Sequence, residues 1–116
     1  MNSLNFEQGD IIIAPIPFSN LVQVKIRPAL VISGKKFNTS SEDLILLKIT
    51  SKEKSYPFDV PLHASDLSKG KLTQESTIMA DFPIMIEKIA VRQTIGKISE
   101  QKLLEVKEKI KQLYEI

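Results

Sequence analysis

A small, mainly β antiparallel barrel with one C-terminal amphipathic helix packed against it is the fold class that this 116-residue chain predicts. Three observations point to it. Short apolar runs rich in β-branched residues recur between Pro, Gly and Asn punctuation. The apolar period changes from two to about 3.6 only after Ser99, and no repeat, low-complexity tract or linker divides the chain. With 42% apolar residues, residues 1–116 supply one domain with a real core and too little material for two.

Asp10 to Ile16 reads as a first strand broken by Pro15 and Pro17, and Phe18-Ser19-Asn20 opens a loop that lasts until Arg27. The segment Arg27-Pro28-Ala29-Leu30-Val31-Ile32-Ser33 is a polar lead-in to an apolar second strand, stopped by Gly34. Lys35 to Glu42 is a polar connection with room for one short turn. Asp43 to Thr50 alternates imperfectly, as a strand covered on both faces does. Tyr56-Pro57-Phe58-Asp59-Val60-Pro61-Leu62 is bracketed by prolines, which suits an edge strand. After a loop around Gly70, Ser76 to Asp81 and Ile84 to Ile86 read as strand pieces joined at Phe82-Pro83, and Ile89 to Ile98 holds one more strand. Ser99 is an N-cap with Ile98 and Leu103 in staple positions, and Leu103, Val106, Ile110 and Leu113 stack on one face, so a helix runs from about Glu100 to Tyr114. About six strands and one helix make the barrel.

Composition removes several functions. There is no cysteine, which excludes a disulfide framework, a thiolate metal site and a cysteine nucleophile, and agrees with a reducing, cytoplasmic setting. One histidine, His63, in a loop reads as incidental, and with no cysteine beside it no zinc site and no cofactor is expected. No run approaches the roughly 18 apolar residues of a membrane span, and the first residues lack a charged segment followed by an apolar one, so a soluble, unexported protein is expected. A net charge of +2 is too small to mark nucleic-acid binding by bulk electrostatics, so any such function rests on a local site. There are only two arginines, and Arg27 stands where a permanently charged guanidinium cannot follow its neighbours into a core, so it faces a cleft or a partner.

The ordered pieces Gly9-Asp10-Ile11-Ile12, Arg27 to Ser33, Ile49-Thr50-Ser51, Pro57-Phe58-Asp59-Val60-Pro61-Leu62, Ser76 to Asp81 and Ile95-Gly96-Lys97-Ile98-Ser99 resemble the MazF/PemK-type toxin endoribonuclease family over roughly residues 9 to 114. The resemblance implies an SH3-like barrel that forms a homodimer, cuts single-stranded RNA without a metal by attack of the ribose 2′-hydroxyl, and is held by a cognate antitoxin. It implies a catalytic set of Arg27, Thr50 and Ser51: the guanidinium clamps the scissile phosphate, and the two short hydroxyls hold the transition state. It also implies RNA contacts by Lys25, by Phe58 as a stacking ring and by Asp81. Local chemistry offers other uses for the same residues. Arg27 could pair with Asp10 or Glu42, Thr50 and Ser51 could close a turn, Phe58 could sit in the core, and Asp81 could be a solvated strand end.

Two departures stand out. Relatives carry a basic residue where this chain has Met79 or Ile84, which leaves Lys25, Lys48 and Arg92 as candidate replacements and keeps open a noncatalytic barrel that binds RNA or a protein. The first loop, Asn20 to Ile26, is apolar at Leu21, Val22, Val24 and Ile26, as a hairpin arm or contact surface would be.

Overall fold

The structure is a computed structural model that describes residues 5–17, 22–51 and 56–116. Its strands are β1 (Asp10–Pro17), β2 (Val24–Val31), β3 (Asp43–Thr50), β4 (Asp59–Leu62), β5 (Leu67–Gly70), β6 (Ser76–Glu87) and β7 (Gln93–Ile98), with a short helix α1 (Lys35–Ser40) and the C-terminal helix α2 (Glu100–Tyr114). They form one antiparallel sheet in the order β4-β6-β3-β2-β1-β7-β5. Among the described residues no helix is long and apolar enough to cross a membrane.

The first hairpin is an arm that outgrows the rest of the sheet. Its ladder runs from Ile11↔Leu30 to Pro17↔Val24, so the first strand continues through both prolines and the second begins at Val24. Arg27 therefore sits inside β2, opposite Ala14, and does not open the strand as the sequence suggested. The prolines are tolerated because β7 pairs only with Asp10 to Ile13; beyond that point β1 has a partner on one side only. Pro28 ends pairing on the other side, since the β2–β3 ladder stops at Ala29↔Lys48. Residues 18–21, where a loop was expected to open, lie outside the described residues.

Two apolar clusters sandwich this sheet. On the helix side Ile11, Leu30, Leu47, Ile49, Val60, Leu62, Ile78 and Ile98 bury against Val106, with Leu103 and Ile110 packed beside it. On the opposite face Ile12, Ala14, Ile16, Ala29, Val31, Leu44 and Leu46 form a second cluster, covered by Phe6, Ile84, Ile86 and Val91. This double burial is what the near-continuous apolar run of β3 encodes. The helix itself follows its sequence signals: Ser99 caps Lys102 N–H at 3.1 Å, and the helix spans Glu100 to Tyr114.

The mainly β fold with its C-terminal helix is the expected one; in detail the sheet is not closed into a full barrel. Its edges, β4 and β5, do not pair, yet only residues 63–66 connect them, so the edges lie close. Helix α2 seals the seam. Ser99 N–H donates to Asp66 O at 2.7 Å. The buried Lys102 ammonium donates to Pro61 O at 3.0 Å and to Glu105 at 2.9 Å and lies 3.4 Å from Asp66. Lys109, two turns on, reaches Pro57 O at 3.4 Å. Two lysines thus occupy carbonyls of β4 and of the turn that leads into it, and Pro61 already discourages further pairing of this edge strand. Lys102→Met leaves Asp66 and Pro61 O without their cation, and we expect a loss of about 3 kcal/mol in urea unfolding. A loss below about 1 kcal/mol would show that the seam does not depend on it.

Two further differences from the sequence reading concern the later strands. The loop expected around Gly70 contains a seventh strand, β5, paired with β7. The two pieces expected on either side of Phe82-Pro83 are one strand, because Pro83 falls where β6 has left β4 and pairs only with β3. The polar connection after Gly34 holds α1, fastened by Asn38: its side-chain amide donates to Ser33 O at 2.9 Å, and it accepts from Ser33 Oγ at 2.5 Å.

Candidate nucleic-acid interface

Side chains alternate along a strand, so register tells which of them share a face. On β2, Ala29 and Val31 belong to the cluster on the face away from α2, which assigns Arg27 and Lys25 to that face as well. On β3, Leu47 and Ile49 point toward α2, so Lys48 and Thr50 point away from it. The β2–β3 register is Leu30↔Leu47 and Ala29↔Lys48; continued two residues, it brings Arg27 level with Thr50. Across β3, Thr50 pairs with Thr77 of β6, and Thr77 pairs with Pro61 of β4. Arg27, Thr50 and Thr77 therefore form a row across three neighbouring strands spaced about 4.8 Å apart.

The row begins where the apolar cover ends. Ala29, Val31, Leu44 and Leu46 are fully buried, whereas Arg27, Lys48, Thr50 and Thr77 are half-buried and Lys25 is exposed. Among the described residues Arg27 makes no ion pair. Asp10, one partner the sequence allowed it, instead accepts Glu7 N–H at 2.9 Å and lies 3.8 Å from Lys97; Glu42, the other, is exposed. The same lysine bonds Glu7 and holds that carboxyl below its usual range. A guanidinium beside two hydroxyls, on a face with two further cations, is equipped to hold a phosphodiester: it has charge-assisted donors and short side chains that leave room for a ribose.

The other expected contacts are placed less directly. Ser51 is exposed one residue beyond β3. Asp81 is exposed in the part of β6 that bulges opposite β3. Phe58 is half-buried in the turn before β4, its carbonyl accepting from Ala80 N–H at 3.3 Å, and it belongs to neither apolar cluster. His63 bonds Glu75 at 2.5 Å, two residues beyond the Pro61↔Thr77 pair. Thr77 was not picked out from the sequence; its only signal is that it starts a strand as Ser76-Thr77, and its relevance depends on pairing with Thr50. Cavities of about 310 and 480 Å³ flank α1 and are lined by residues such as Asn5, Asn38 and Thr39; Arg27, Lys48 and Thr50 line neither. A strand surface that follows a nucleic-acid backbone is an open groove, so a cavity is not what this chemistry requires.

Comparison with solved structures finds the same architecture. An endoribonuclease in complex with its cognate antitoxin from a Mycobacterial species superposes with a TM-score of 0.79 at 13% identity, covering 97% of each chain. The Mycobacterium tuberculosis toxin MazF-mt6 matches with a TM-score of 0.74 at 20% identity, over 92% of this chain and 97% of that one. MazF from Deinococcus radiodurans matches with a TM-score of 0.77 at 23% identity, over 99% of this chain and all of that one. Among curated proteins no relative matches the chain. The family described as PemK-like, MazF-like toxin of type II toxin-antitoxin system matches residues 7–114. With almost its whole length matched, and with the fold of solved MazF proteins, the chain belongs to the PemK-like, MazF-like toxin family of type II toxin–antitoxin systems.

Proposed function

We propose that this protein is the toxin of a type II pair and acts in the cytoplasm as a metal-independent endoribonuclease on single-stranded RNA. The single observation that carries the reading is the row of Arg27, Thr50 and Thr77 at the open end of one sheet face, in a chain of this family. In the reaction the ribose 2′-oxygen attacks the adjacent phosphorus and gives up its proton. The bond to the 5′-oxygen breaks, and that oxygen leaves with a proton. The products are a 2′,3′-cyclic phosphate and a 5′-hydroxyl. Negative charge grows on the nonbridging oxygens, where the Arg27 guanidinium, with Thr50, Ser51 and Thr77 as hydroxyl donors, lowers the barrier. Lys25, along the same face, is suited to a neighbouring phosphate, and Phe58 and Asp81 to flanking bases.

Partners follow the same reading. The reverse face of the arm is apolar, with cross-strand pairs Pro15↔Ile26 and Pro17↔Val24, and Val24 and Ile26 are 57% and 49% exposed. A second copy covers such a face, giving a homodimer. The solved Mycobacterial endoribonuclease is in complex with its cognate antitoxin; for this chain the reading is an antitoxin that occupies the basic face and excludes RNA.

Purified protein incubated with an unstructured RNA in excess chelator tests this. The expected result is cleavage to 2′,3′-cyclic phosphate ends by material of dimer mass in light scattering. Binding without cleavage would instead favour a noncatalytic barrel of the same descent, the reading to which apolar Met79 and Ile84 lend weight.

A further inference from the structure

We infer that Lys48 is the second cation of the phosphate site, supplied from β3. This rests on the nuclease reading above and goes beyond it by naming a contact. Lys48 lies two residues from Thr50 on the same strand and face, about 6.7 Å along it, and is diagonal to Arg27 across the β2–β3 register. Arg27, Thr50 and Lys48 thus form a triangle whose sides match the reach of one phosphate and its neighbour.

The β3–β6 ladder explains how the ammonium is aimed. Ile49 pairs with Ile78 and Leu47 with Pro83, so Met79, Ala80, Asp81 and Phe82 stand against the single residue Lys48. Bulges of this kind redirect side chains and gather beside functional sites. Here the extra residues bring the Phe82 ring under the Lys48 ammonium, 4.8 Å from ring centroid to nitrogen. The ring restrains a side chain that otherwise has four rotatable bonds.

The same ladder shows why this residue answers for the absent basic positions. Continued one step from Ile49↔Ile78, the register sets Met79 level with Lys48, and Ile84 pairs with Leu46, one alternation along the same face. Charge on β3 at Lys48 serves the surface that charge on β6 at either position would serve. The other two candidates fit less well. Lys25 is exposed toward the tip of the arm, and Arg92 precedes β7 on the far side of β1, its backbone N–H donating to Ile13 O at 2.8 Å.

The test measures single-turnover cleavage of an unstructured RNA in chelator, together with binding of the matching 2′-deoxy strand across a salt series. Lys48→Ala is expected to slow cleavage about 10- to 100-fold and to lower the slope of log affinity against log salt by about 0.7. Lys48→Arg is expected to retain most of both. Lys48→Gln, which keeps two of the four methylenes and a polar end but no charge, is expected to behave as Lys48→Ala does, and thermal melting reports whether each variant is folded. A folded Lys48→Ala or Lys48→Gln protein within twofold of the parent in rate, with an unchanged salt slope, would overturn the assignment. If the parent protein binds without cleaving, the nuclease reading fails, while the difference in salt slope still decides whether Lys48 touches a phosphate.

Discussion

Replacing Arg27 by alanine is expected to lower single-turnover RNA cleavage about 10³-fold while leaving thermal stability nearly unchanged. The size follows from what the guanidinium supplies. Removing one well-placed donor to a developing oxyanion costs about 10²- to 10³-fold, and Arg27 brings several donors and a full charge. The stability forecast has its own basis. Arg27 is half-buried at the end of an apolar cluster, opposite the small Ala14, and among the described residues it makes no ion pair, so no buried carboxylate is left unpaired when it goes. Lys at this position is expected to recover only part of the rate, because an ammonium cannot make the parallel two-point contact of a guanidinium. Urea unfolding beside the rate measurement separates loss of chemistry from loss of fold.

The largest expected effect on folding lies far from the site, at Gly70. This residue has φ +82°, and a Cβ placed on it would lie 2.1 Å from Ile95 O and 2.5 Å from Gly96 Cα. Both the conformation and the contact exclude a side chain, since β5 and β7 approach through the facing pair Gly70↔Gly96. Gly70→Ala is therefore expected to cost about 4 kcal/mol, or roughly 15 to 20 °C in melting temperature. Peeling β5 away offers little relief. Leu67 packs into the helix-side cluster, and the adjoining Asp66 carbonyl holds the start of α2. A loss below about 1 kcal/mol would mean that the edge relaxes independently of the core.

What could be read from the sequence was what local chemistry determines. The bounds of α2 follow from the Ser99 cap and a period of 3.6, both contained in one segment, and the prolines of Tyr56 to Leu62 mark β4 as an edge without reference to its neighbours. The elements that escaped depend on partners distant in sequence. Leu67-Ser68-Lys69-Gly70 has no alternation and becomes a strand only because Gly96 lets it approach. Phe82-Pro83 looks like a break and is not one, because the strand has shed a neighbour there. Arg27 looked like the start of a strand because the extent of β2 is dictated by the length of β1. The site divides in the same way. Arg27 and Thr50 stood out as residue types in a recognisable order, but their common face is a property of register. Thr77 and the direction of Lys48 needed the β3–β6 bulge, which no stretch of either strand announces.

The central claim is that Arg27 and Thr50 act together on one phosphate from adjacent strands. A double-variant cycle on single-turnover cleavage in chelator, using Arg27→Ala, Thr50→Ala and the pair, measures that directly. Groups acting as a unit give strongly non-additive losses, so the pair is expected to be little slower than Arg27→Ala alone. Losses that multiply independently, or a rate unmoved by Arg27→Ala, would contradict the account.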